Sequence, residues 1–75
     1  MKLSYKDQRD YELLPKRIEQ LDAAIAEAEE TLADAGLFTR DPDRFHRVMK
    51  DLEAARAEKE AAEERWLELA ELVES

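Results

Sequence analysis

Nine of the twelve Lys and Arg residues fall into two clusters. Lys2, Lys6, Arg9, Lys16 and Arg17 lie in the first seventeen residues, and Arg40, Arg44, Arg47 and Lys50 lie between positions 40 and 50. Clustered cations neutralise phosphates and release their counterions, so each group is a candidate nucleic-acid contact. Residues 18 to 39 hold six acids and no base, and residues 51 to 75 hold nine acids against Arg56, Lys59 and Arg65. The net charge of -8 therefore excludes a general nucleic-acid coat and leaves local contact at two basic places. Other chemistry is poorly served. There is no glycine-rich phosphate loop, no paired-histidine metal motif and no cysteine, and the single His46 between Phe45 and Arg47 reads as an ordinary solvent-facing residue. No catalytic residue, cofactor or metal is expected, and the many Glu side chains are most simply a solvated face.

The elements that must carry the clusters turn round at Ala35-Gly36-Leu37-Phe38-Thr39-Arg40-Asp41-Pro42. Gly36, the sole glycine, stands where a helix ending near Asp34 or Ala35 would need a residue tolerant of positive φ. Asp41-Pro42 restarts a helix, as N-cap and first helical residue. Ser4-Tyr5-Lys6-Asp7 resembles a capping box and predicts a helix from Tyr5. Pro15 either ends that helix near Leu13 or Leu14 or kinks a longer one, and the break is the preferred reading.

Beyond Pro15 the apolar positions step by three and four. They run Tyr11, Leu14, Ile18, Leu21, Ile25, Ala28, Leu32 and Ala35 outward, then Phe45, Val48, Leu52, Ala55, Lys59, Ala62, Trp66, Leu69 and Val73 on return. Folding at the turn pairs residues whose numbers sum to 80, and large residues then face small ones in layer after layer. The expected fold is all-α, an intramolecular antiparallel two-stranded coiled-coil hairpin with a short N-terminal helix. One domain covers 1-75: a short helix at about 5-14, a long arm at about 15-35, a turn at 36-41 and a second long arm at about 42-73.

Several side chains refine that register. Lys59 falls opposite Leu21, where its stem can lie on the stripe while the ammonium reaches solvent or Glu63. Asp22 and Arg56 stand at levels that allow a cross-arm ion pair. Trp66, Leu67, Leu69, Leu72 and Val73 offer more apolar surface than one facing helix covers, so the initial helix is expected to fold over the open end through Leu3, Tyr5, Tyr11 and Leu13. The basic ends have two readings. Arg40, Arg44, Arg47 and Lys50 either pair with Asp34, Asp41 and Asp43 or form a phosphate-binding patch, although the macrodipole disfavours cations in a first turn. Lys6, Arg9, Lys16 and Arg17 lie about 30 Å away at 1.5 Å per residue, and for Lys16 and Arg17 pairing is the preferred reading, because Glu64 and Glu63 stand opposite them.

The run Lys2-Leu3-Ser4-Tyr5-Lys6-Asp7-Gln8-Arg9-Asp10-Tyr11-Glu12-Leu13-Leu14-Pro15, an acidic arm, Phe38 in the turn and Glu64-Arg65-Trp66-Leu67-Glu68-Leu69 resemble the C-terminal domain of the Uup-type ABC-F ATPases. Tyr11 stands where that family more often has Leu. The resemblance implies one part of a larger soluble ATPase whose nucleotide-binding cassettes precede it, with association to DNA, or action at the ribosome and hence on ribosomal RNA. It carries over no catalytic residue.

The leading expectation is an accessory DNA-binding domain that contacts phosphates through its basic ends. The alternative is a structural arm docking through Trp66 on the ATPase core or a ribosomal partner, and self-association through the seam is a third. The chain is expected to be cytoplasmic, without a membrane span or signal peptide, and monomeric in isolation.

Overall fold

Ser4 begins the first element by accepting a hydrogen bond from the Asp7 amide at 3.1 Å, the capping geometry its sequence predicts. The computed structural model describes residues 3–74, and Lys2 lies outside them. Helix α1 spans Tyr5–Leu32, a four-residue α2 spans Leu37–Arg40, and α3 spans Pro42–Glu74. Asp41 accepts from the Arg44 amide at 3.1 Å, so α3 starts as expected, capped by Asp41 with Pro42 as its first residue.

α1 and α3 lie side by side as a hairpin of 55 × 15 × 14 Å. A 33-residue helix is about 50 Å long at 1.5 Å per residue, so α3 alone nearly accounts for the long axis. The stripe closes around Leu21, Leu52, Ala62 and Leu69, all buried, with Leu14, Ile18, Ile25, Ala28, Leu32, Phe45, Val48 and Ala55 half-buried between them. Leu69 is wholly shielded. Ion pairs lace the two arms. Lys59–Asp22 at 2.6 Å falls one residue from the expected register, while Arg17–Glu58 at 2.6 Å and Arg56–Glu29 at 2.8 Å lie five residues to either side of it.

The structure departs from expectation at four places. No short N-terminal helix separates from the arm, because α1 runs unbroken through Pro15. The proline is exposed, and the lost backbone bond is offset by continuing the seam through Leu14 and Tyr11. The first segment therefore does not fold back as a separate element. Tyr11 stacks on Trp66 with ring centres 5.6 Å apart and planes 10° from parallel, while Tyr5 and Leu13 face solvent.

α1 also stops at Leu32 rather than 35, so Ala35 leaves the seam and is exposed. Gly36 has φ of -86° and ψ of -9°, with no positive φ among the described residues. A Cβ there would lie 2.5 Å from Arg40 Nη1, the far end of a flexible side chain, so a larger residue would displace the guanidinium rather than the backbone. Asp34 organises this turn, accepting from the Gly36 amide at 3.0 Å and pairing with the Arg40 guanidinium at 2.5 Å. Leu37, from the short α2, is buried and closes the end of the seam. At the other end Val73 is 43% exposed, and Leu72 takes the inward position instead.

Candidate nucleic-acid interface

A cation can hold a phosphate only if its charge is not already spent on a neighbouring carboxylate. In the shaft, every described base is spent. Arg56 reaches Glu29 rather than the expected Asp22, and Asp22 takes the Lys59 ammonium, which was expected to reach Glu63 or solvent. The hydrogen bond that Lys59 donates to Asp22 is the chief cause raising the Lys59 pKa, with a small contribution from Glu63.

Arg65 sits at the open end between two acids of α1, 2.7 Å from Asp7 and 3.5 Å from Asp10. Its hydrogen bond holds the Asp7 carboxyl below the usual carboxylate range, and Ser4 adds to the effect. Sequence reading missed this junction. The sequence reading gives Asp7 a role in the cap alone, although Asp7 and Asp10 step by three and four into Leu14 and so continue the inward face.

Two of the eight nominated cations are also committed. Arg17 forms a double contact with Glu58, Nε to Oε2 at 2.6 Å and Nη2 to Oε1 at 2.8 Å, rather than facing Glu63. The Glu58 hydrogen bond raises the Arg17 pKa and lowers that of Glu58. Arg40 is held by Asp34, whose carboxyl is depressed by that bond and by the Gly36 amide.

The other six, Lys6, Arg9, Lys16, Arg44, Arg47 and Lys50, are exposed and form no ion pair among the described residues. Lys6, Arg9 and Lys16 lie near the open end on α1, and Arg44, Arg47 and Lys50 in the first turns of α3. The tip is the more mixed of the two. Arg40 and Arg44 border a groove that also holds Glu27, Glu30 and Asp34, so a phosphate entering it would meet three carboxylates. Arg47 and Lys50, three residues apart on α3, do not line that groove. Phe38 of the turn, 53% exposed, meets Phe45 and His46 edge-on with ring centres 5.2 and 5.8 Å away.

The surface expected for docking through Trp66 is reduced by the Tyr11 stack, which leaves the indole half-buried and its Nε1 enclosed without a hydrogen-bond partner. Among the described residues no three His, Cys, Asp or Glu side chains are grouped to hold a metal ion. No described helix is long and apolar enough to cross a membrane.

The ABC transporter C-terminal domain model matches residues 2–71. The chain belongs to that family. This ABC transporter C-terminal domain is 42% identical over 65 residues to the ATP-binding protein Uup of Escherichia coli K12, covering 87% of this chain and 10% of that protein. It is 53% identical over 74 residues to the ATP-binding protein Uup of Caulobacter vibrioides, covering 99% of this chain and 12% of the relative. It is 39% identical over 71 residues to the ATP-binding protein Uup-like of Haemophilus influenzae, covering 95% and 16% respectively. The domain thus spans about a tenth to a sixth of the length of these relatives, and the expected Uup-type kinship holds. No solved structure matches it significantly.

Proposed function

We propose that this domain is a nucleic-acid-binding accessory part of an ABC-F type ATPase, holding backbone phosphates without reading sequence. The contacts are Lys6, Arg9 and Lys16 near the open end and Arg44, Arg47 and Lys50 at the tip. DNA is the first partner, ribosomal RNA the second, and the ATPase core is the neighbour in the same chain. The hairpin itself catalyses nothing, works as a monomer, and serves a cytoplasmic protein. One observation carries the reading: the bases of the acidic shaft are paired across the helices, whereas six bases towards the ends are not. Arg17 and Arg40 act indirectly, locking the arms and the turn that present these cations.

Binding of this kind is weak and strongly salt-dependent, because few phosphates are neutralised and the shaft repels the rest. Neutralising three phosphates gives a log–log slope near -2.7, an affinity loss of about 40-fold between about 50 and 200 mM salt. Anisotropy of a short labelled DNA duplex should show that fall. Reversing Lys6, Arg9 and Lys16 together to Glu, or Arg44, Arg47 and Lys50 together to Glu, should each lower affinity and flatten the slope. Salt-independent binding, or affinity unchanged by both reversals, would contradict the proposal.

A further inference from the structure

We propose that the open-end basic face is a site for single-stranded nucleic acid, in which Tyr5 stacks on an unpaired base while neighbouring cations hold the flanking phosphates. The inference rests on the phosphate reading above and specifies its ligand at one end. Lys6, Arg9, Leu13 and Lys16 step by three, four and three along α1, and all four are exposed, turned away from the seam formed by Tyr11, Leu14 and Ile18. From Lys6 to Lys16 this second stripe is about 15 Å long. Among the large hydrophobic residues left exposed, Tyr5 stands out at 83%, beside Lys6. It has no aromatic partner among the described residues, whereas Tyr11 is consumed by Trp66 and Phe38 by Phe45.

The groove beside the ring decides between a base and a phosphate. It is lined by Tyr5, Gln8, Arg9 and Glu12. The Glu12 carboxylate offsets the pull of Arg9 on a phosphate inside the groove and can accept from an exocyclic amino group, and the Gln8 amide can both donate and accept, while Arg9 can reach a phosphate at the groove's edge. A ring to stack on, a carboxylate and an amide suit a base edge, and Lys6 and Lys16 remain on the same face for the phosphates. Bases in a duplex are stacked and paired internally, so this groove gains only from a strand whose bases are free. Aromatic stacking of that kind tolerates any sequence.

The test compares a labelled DNA single strand, its duplex and an RNA strand of the same sequence, each titrated with the whole 75-residue chain. The single strands should bind more tightly than the duplex. Tyr5→Ala should weaken single-strand binding about fivefold or more and leave duplex binding unchanged, while Tyr5→Phe keeps single-strand binding. Tyr5 is too exposed for its truncation to unfold the hairpin, which circular dichroism checks. A preference for either DNA or RNA single strands supports the site and names its source. Equal affinity for strand and duplex with no effect of Tyr5→Ala overturns this inference and leaves the phosphate reading standing. No binding of any of the three overturns both.

Discussion

Arg65 shows how much of the hairpin's closure is electrostatic. Its guanidinium joins Asp7 and Asp10 beside the stack of Tyr11 on Trp66, so the first turns of α1 are tied to the last turns of α3 by charge as well as by rings. Asp7 is more acidic in the fold than in the unfolded chain. The stability it contributes is complete above the unfolded value near pH 4 and is lost as pH falls through the lower folded value. Below about pH 4 the open end should therefore loosen, seen as a red shift of Trp66 emission. Asp7→Asn should show part of that shift already at neutral pH; emission independent of pH in both proteins would refute the junction. Pairings of this kind were only partly legible in the sequence. Arg56 had Asp22 and Glu29 within reach across the seam, and the step along the rod that chooses Glu29 depends on rotations the spacing alone does not fix. The Arg40–Asp34 pair was legible, because both residues belong to one short turn.

The helices themselves were largely written in the three-and-four spacing, and the differences sit at their ends. Pro15 signals a break by every local rule, yet the seam on both sides of it is in phase, and burial of Tyr11, Leu14 and Ile18 against α3 favours one continuous helix. The proline thus remains as a local cost. Pro15→Ala restores the backbone donor on an exposed face, and should raise stability by about 1 to 3 kcal/mol, reduced by the freer unfolded chain. A higher thermal midpoint with unchanged helicity is the expected result; a lower midpoint would mean that Pro15 fits a local geometry alanine cannot adopt. In the turn, the expected need for glycine is not met, because the Gly36 backbone lies in the ordinary helical region. A Cβ there would crowd only the movable end of the Arg40 side chain and its pair with Asp34. α2 and the burial of Leu37 were not legible, since a four-residue helix has no periodicity to read.

At the scale of the molecule, the helical hairpin and the charge blocks were both readable in advance, and together they define the candidate site. One register buries Leu21, Leu52, Ala62 and Leu69, and its flanks pair the shaft bases with shaft acids. The result is a 55 Å rod that is acidic along its length and keeps six cations unpaired towards its ends. Which of the eight candidate cations stay unpaired was only partly legible: the Arg40–Asp34 pair was foreseeable, but of Lys16 and Arg17, both facing acids in the expected register, only Arg17 is paired, and with Glu58. The most direct measurement is a titration of the isotope-labelled chain with duplex DNA at low salt, followed by amide chemical shifts. Changes should gather over residues 5–17 and 43–51, vanish as salt is raised, and spare the shaft between 20 and 30 and between 54 and 62. Shifts centred on the shaft, or none at any salt, would contradict binding through the ends of the rod.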